Sequence, residues 1–518
     1  VGVGISTGQA GQYNRIVRDL GPMRVHLFRS VGLLHLIAGV MYLFWRLTAG
    51  LTGFGSFLFW CAELFVWLAA VAFFLSRFLH QLSHLPVPEV FQQAFFQMPR
   101  VDVLVMRRWD SVEATRQTAL AALRLNYPWD RLFVHVVDLA EDEAMAKVAR
   151  AVPCEYWACP NPAVDPLAYV LQLGRVKGDY FLLLDPGQFP DPSLLFQALP
   201  LFYDSPERAP IANRTGFVQV MLRTLGQPRA VHPLQQVLAV GSRGYQAAPL
   251  LGSGCLIRRQ ALEGIPDLDS CKPVRLGCQL HRQGWVSHLV RETQVTGALL
   301  PLRNRRIALL ALFSALKENP FWRGQTSQQQ QFQYLWLTLW GAGGVAEIAY
   351  LAVPIAYLWT GWTPVPAFDG EFFAWFLPYV LLGRFSWFLA FPPSLWRAAW
   401  QSERQTGSQF FQSIQALVQS LQGVIPDPEK PSQLSLGPQA LAILLTLLAI
   451  GVGSVRLLGS WDPAWAGFVL GLLWAVYNLL ILTVRPDDHD FARLQFSRRR
   501  AATPPEEVAD PVSSLTED

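Results

Sequence analysis

The sequence predicts an α/β domain inserted between transmembrane helices, about six spans in all, with interfacial helices beside them. Of the 518 residues, 52% are hydrophobic and only 15% are charged, so part of the chain must lie in a bilayer. The apolar residues gather in long runs towards the two ends of the chain, and the middle has an ordinary composition. That middle alternates strand-like and helix-like segments, the rhythm of a parallel sheet.

Residues 1–30 form a cytoplasmic segment bearing Arg15, Arg18, Arg24 and Arg29. Residues 31–85 form a membrane hairpin from the runs Val31 to Leu47 and Phe54 to Leu75, and the basic segment before it puts both ends in the cytoplasm. His80 and His84 are four apart just after it; a metal site is one reading, an exposed helix end the preferred one. Residues 86–300 are the α/β domain, with a strand at Val101 to Met106, an amphipathic helix at Ser111 to Leu125 capped by Ser111, and a strand at Leu132 to Val137 running into Asp138. Tyr180 to Leu184, five consecutive large apolar residues, read as a strand buried on both faces. Asp185-Pro186-Gly187 then turns the chain at the carboxyl edge, where open α/β sheets bind ligands. Asp138 and Asp185 thus sit at the ends of two strands and face one crevice, either gripping a metal–nucleotide or persisting as strand-end and turn residues.

Residues 301–330 carry the basic cluster Arg303, Arg305 and Arg306 and the interfacial helix Ile307 to Leu316. A second hairpin (331–390) contains a helix that is apolar from Leu335 to Trp359 and the run Phe372 to Leu389. Residues 391–436 hold the interfacial helix Phe410 to Leu421 and a loop, 437–485 a third hairpin, and 486–518 an acidic, disordered tail. Arg397, Arg404, Arg485 and Arg498 to Arg500 fall on the cytoplasmic side of this topology. Glu347 and Arg384 lie inside apolar runs, so they line a polar conduit or pair between helices, unless Glu347 marks a helix still at the interface. Net charge of +4 gives no reason to expect nucleic acid, and six Cys without a C-x-x-C pair argue for a reduced compartment and against structural zinc. The chain opens on Val, so a preceding piece is expected, and no cleavable signal peptide is legible.

Several local runs carry a resemblance. Val101-Asp102-Val103 is followed by Ala119 to Leu123 and Asn126-Tyr127-Pro128, and Gly252-Ser253-Gly254 leads into Arg258-Arg259-Gln260-Ala261-Leu262. Leu276-Gly277 runs on to His281-Arg282-Gln283-Gly284-Trp285, and Asn319-Pro320 precedes the segment Gln331 to Gly361. In this order the runs resemble the membrane-embedded processive glycosyltransferases of family 2, bacterial cellulose synthase catalytic subunits above all. The resemblance implies a GT-A-like cytoplasmic domain in a bacterial plasma (inner) membrane. If the chain is active, it implies transfer from a UDP-glucose-like nucleotide sugar with Mg or Mn, and a glycan product synthesised and translocated.

Position by position, the family's chemistry is degraded here. The D-D-G turn corresponds to Asp138-Leu139-Ala140 and the D-x-D turn to Asp185-Pro186-Gly187, each with one acid of two. Asp138, Asp185 and Arg306 are the remaining nucleotide-sugar candidates, and Asp185 is the metal candidate. The general base of T-E-D falls on Pro273 of Cys271-Lys272-Pro273, which leaves Asp267, Asp269 or Glu292 as substitutes. Q-x-x-R-W becomes Arg303 to Ile307, keeping Arg306 and losing the stacking Trp; Arg303 and Trp285 are the acceptor-side candidates. The donor-side stretch near Ala163 to Ala168 and the gating-loop stretch Ser432 to Gly437 also depart from the family pattern. The leading expectation is a pseudo-glycosyltransferase without cofactor, acting in a hetero-complex with other membrane proteins, an active synthase among them. An active divergent transferase and a nucleotide or glycan sensor are the alternatives.

Overall fold

The computed structural model describes residues 22–78, 98–107, 110–139, 141–159, 166–174, 176–203, 214–224, 246–250, 252–263, 265, 273–297, 326–391, 393, 396–408, 410–422, 437–459 and 465–483. These fall in one compact unit, Val1–Val484. Helices α1 (Pro22–Ala49) and α2 (Phe54–Phe78) form the first hairpin. The α/β part follows as β1 (Val101–Arg107), α3 (Val112–Ala122), β2 (Leu132–Asp138), α4 (Glu143–Ala151), β3 (Glu155–Ala158), α5 (Pro166–Gln172), β4 (Tyr180–Leu184), β5 (Gln188–Pro190), α6 (Leu194–Ala198), β6 (Thr215–Thr224), β7 (Cys255–Arg258), α7 (Arg259–Leu262), α8 (Pro273–Arg282) and β8 (Val286–Gly297). Then come α9 (Gln328–Gly341), α10 (Gly344–Thr360), α11 (Gly370–Leu389), α12 (Trp396–Ser408), α13 (Phe410–Leu421), α14 (Gly437–Gly459) and α15 (Trp465–Leu482).

Among the described residues the strands form one sheet in the order β3-β2-β1-β4-β7-β6-β8-β5. β3, β2, β1 and β4 pair in parallel, as the strand–helix alternation predicts. Beyond β4 the sheet is mixed: β7 runs antiparallel to β4 and to β6, and β5 runs antiparallel to β8. The reason is local, because β4 leaves through a tight turn into β5 and not through a crossover helix, so parallel pairing is no longer enforced. β4 is buried throughout, with Leu182 and Leu184 in one apolar layer and Phe181 and Leu183 in the other. Each such side chain contributes about 1.5–3 kcal/mol of burial. Ser111 caps α3, its hydroxyl accepting the Ala114 amide at 3.1 Å, as its position before the helix predicts.

Six helical stretches among the described residues are long and apolar enough to cross a membrane. The third, expected as one apolar helix running on from Leu335 to Trp359, is broken between α9 and α10. The break falls at Gly343 and Gly344, weak helix formers. A Cβ on Gly344 would come within 2.6 Å of the Phe410 carbonyl oxygen, so the missing side chain lets α13 approach. On α1, Val25, Phe28, Gly32, His35, Gly39, Tyr42 and Arg46 recur at alternating three- and four-residue spacing, which puts them on one face. That seam meets α11: His35 stacks on Tyr379 at 5.1 Å, and so does Tyr42 at 5.3 Å.

His281 of α8 joins the α/β part to α9, its Nδ1 bonded to the Tyr334 hydroxyl and its Nε2 to Ser287 Oγ at 2.9 Å. Burial lowers its pKa to about 3, so the ring is neutral in the fold. Unfolded, it takes a proton near pH 6.5. The unfolded state therefore binds more protons between about pH 3 and 6.5, and stability should fall as pH drops through that window. Thermal melting of wild type against His281→Gln checks this, because the variant should lose that part of the acid sensitivity.

Candidate functional site

The turn after β4 has the form its residues dictate. Pro186 and Gly187 are its central pair, and Gly187 has φ +83°, the left-handed value that the third position of a type II turn requires. The Gln188 amide bonds back to the Asp185 carbonyl at 3.2 Å, and Thr118 Oγ1 of α3 accepts the Gly187 and Gln188 amides at 2.8 and 3.1 Å. Gln188 itself accepts the Asp185 amide at 3.0 Å and donates to Ser253 Oγ at 2.8 Å. Asp185 is thus half-buried on a firmly tied turn, while Gly187 has backbone geometry that L side chains rarely adopt.

Asp138 ends β2 in register with Arg107 of β1, and Asp185 follows Leu184, which is in register with Val105. One strand lies between the two acids, so their backbones are about 10 Å apart. The end of that strand is Arg107. Its Nη1 donates to both Asp138 carboxylate oxygens at 2.9 and 2.8 Å, its Nη2 to Asp142 at 3.0 Å and its Nε to the Asp110 carbonyl at 3.0 Å. Asp138 Oδ2 also accepts the Tyr156 hydroxyl at 3.0 Å and the Asp142 amide at 3.1 Å. The carboxylate is 0% exposed and Arg107 5%. Burial, then the charge of Asp138 and the bond to it, push the Tyr156 phenol far above its ordinary pKa, so Tyr156 remains a donor.

Among the described residues no three or more His, Cys, Asp or Glu side chains are grouped to hold a metal ion. The donor set described at this edge is one half-buried carboxylate, Asp185, with Asp138 and Asp142 both held by the Arg107 guanidinium. It does not fit a divalent cation bound to a diphosphate. Pro273 is the first residue of α8, where a missing amide proton costs nothing and where nothing titrates. Trp285 is half-buried at the foot of β8, packed on the apolar layer and against Gly216. Glu292 lies in β8. Asp267, Asp269, Arg303, Arg306, Ile307, Cys271, Lys272, His80 and His84 lie outside the described residues, as do the Ile307 to Leu316 helix and the tail.

Arg384 is not paired directly with Glu347. It donates to Glu403 of α12 and, at 2.6 Å, to the Tyr477 hydroxyl of α15, which in turn donates to Glu403 at 2.7 Å. Glu347, in the first turn of α10, lies within electrostatic reach of Glu403 and Arg384. A second polar cluster went unread in the sequence: Arg46, fully buried, donates to Glu63 at 3.1 Å, and Tyr42 donates to the same carboxylate at 2.5 Å. The legible signal was one base and one acid on the two arms of a tight hairpin.

Curated proteins similar in sequence include cellulose synthase 1 of Komagataeibacter xylinus, 24% identical over 387 residues, which is 68% of this chain and 24% of that one. A UDP-forming cellulose synthase 1 catalytic subunit of the same organism is 24% identical over 375 residues, 65% of this chain and 47% of that one. This chain is cellulose-synthase-like. It spans about a quarter to a half of the length of these relatives, and its fold is an α/β domain with a mixed sheet among apolar helices. No protein-family model matches the cellulose-synthase-like chain. Among solved structures, a mannosyltransferase of Pyrobaculum calidifontis in complex with GDP-Man and Mn2+ is similar at a TM-score of 0.47 and 15% identity, over 76% of this chain and 99% of that one.

Proposed function

We propose that the cellulose-synthase-like chain is a pseudo-glycosyltransferase, with the α/β domain and the helical bundle retained and sugar transfer lost, serving as a subunit of a membrane complex that contains an active synthase. The observation that supports this most is the bond of Arg107 to Asp138. A transferase of this kind must neutralise a diphosphate leaving group with a cation held by carboxylates. Here the cation at the strand ends is part of the protein and spends its charge on Asp138 and Asp142. Gly187, in the second acid's place, and Pro273, in the base's place, support the same reading. We further propose a bacterial plasma membrane with the α/β domain on the cytoplasmic side, in keeping with the arginines at that end of the bundle.

The test is incubation of the purified chain with labelled UDP-glucose and Mg or Mn, for wild type and Asp185→Asn. No incorporation and no UDP release in either is expected, together with recovery of a synthase when the chain is purified from its native membrane. Transfer by wild type that is lost in Asp185→Asn would instead establish an active divergent enzyme using Asp185.

A further inference from the structure

A cavity of about 220 Å³ lies between α1, α2, α9 and α11. Its walls are aromatic, with Phe73, Phe74, Trp336, Trp340 and Trp387 around the small residues Gly32, Ala69, Ala70 and Gly383. Two buried polar groups face it. His35 has its Nδ1 bonded to the Tyr379 carbonyl at 3.0 Å, and Ser386, 5% exposed, has no hydrogen-bond partner among the described residues.

One helical turn along the bundle, about 5.4 Å, arginines lie beyond the residues that line the cavity. Arg29 precedes Gly32 by three residues on α1 and lies over the Phe78 ring at 4.7 Å. Its Nη2 donates to the Phe78 carbonyl at 2.9 Å, while its Nε is shut off from solvent without a described partner. Arg77 lies between Phe73, a cavity wall, and Phe391, at 4.5 and 4.4 Å. Arg24 donates to the carbonyls of Phe388 and Leu389 at the end of α11. No described carboxylate pairs with Arg24 or Arg29. Arg24 and Arg29 therefore meet carbonyls and rings, with no carboxylate among the described residues, next to an apolar slot that contains the Ser386 hydroxyl.

We propose that this is a binding site for one anionic glycerophospholipid of the bilayer. Its phosphate is held at Arg29 beside Arg77, its ester region reaches Ser386, and an acyl chain lies against the tryptophans. Two independent observations meet in it: a guanidinium N–H buried without a partner, and an aromatic slot one turn deeper. Positive pockets between membrane helices select acidic headgroups, at about 1 kcal/mol per arginine, which is about fivefold in affinity.

Native mass spectrometry of the purified chain, released from micelles containing equal amounts of phosphatidylglycerol and phosphatidylcholine, tests the site. Wild type should retain one phosphatidylglycerol in preference to phosphatidylcholine. Arg29→Gln, which gives up the bond to the Phe78 carbonyl and the contact with its ring, should reduce that preference about fivefold. Ala70→Phe, which fills the slot, should lose both lipids while the chain still elutes as a single species. Equal retention of the two lipids by wild type, or an undiminished preference in Arg29→Gln, overturns the proposal. Displacement of the lipid by inorganic phosphate also overturns it, by reducing the site to a free-anion site. If Ala70→Phe aggregates, Arg29→Gln still decides.

Discussion

Replacing Arg107 with Met should destabilise the α/β domain by about 3–5 kcal/mol, the usual cost of leaving one member of a buried ion pair alone. Asp138 is fully buried and takes four charge-stabilising bonds, two from Arg107 and one each from Tyr156 and the Asp142 amide. Without the guanidinium, the Tyr156 hydroxyl and the Asp142 amide, the remaining described donors, face a carboxylate that has nowhere to find water. The thermal midpoint should fall by on the order of 10 °C. The double substitution Arg107→Met with Asp138→Leu should recover most of the loss, since an apolar pair of similar volume removes the charge along with its partner. Such non-additivity would identify Asp138 as a structural anchor. If Arg107→Met instead melts as wild type does and gains affinity for UDP, Asp138 is a ligand that Arg107 screens.

A comparable loss, again about 3–5 kcal/mol, is expected for Arg46→Leu in the helical bundle. Arg46 is 0% exposed and joins three segments: Nε to Glu63, and Nη1 to the carbonyls of Gly50 at 2.6 Å and Pro364 at 2.9 Å. Removing it strands Glu63 among apolar helices with only the Tyr42 hydroxyl, and an unpaired acid at that depth is costly in lipid. It also removes one of the two bonds that tie the Pro364 carbonyl to the hairpin, leaving that of the Ser56 hydroxyl at 2.5 Å. Loss of the single-species peak on heated size-exclusion chromatography in detergent measures the effect. Arg46→Lys should retain part of the stability through Glu63 but lose the bridging to both carbonyls, because one ammonium cannot reproduce the planar fork. An Arg46→Leu chain as heat-resistant as wild type would show that the cluster does not hold the bundle together.

Much of the architecture was legible because it is written in contiguous residues. The run Tyr180 to Leu184 became a fully buried central strand, and Asp185-Pro186-Gly187 became the turn its proline and glycine demand. The apolar runs became helices long enough to span a bilayer. Where the chain broke rank, a local and a long-range feature coincide: α9 and α10 separate at Gly343 and Gly344, and α13 packs closely on Gly344, a partner that no feature of that stretch alone announces.

The candidate site divides in the same way. The sequence by itself determined that the strand-end turn is Asp185-Pro186-Gly187 and that residue 273 is a proline, since both are statements about which atoms are present. It also determined the apolar spans, because the bilayer selects on composition and length. Only the tertiary structure decided what Asp138 does. Arg107 is 31 positions away in the chain but directly opposite it across a parallel strand pair, and such register follows from the packing of the whole sheet, not from any local pattern. The same holds for Arg46 with Glu63 and for Arg384 with Glu403. Each residue alone reads as a misplaced charge, and its partner appears only when the helices are brought side by side.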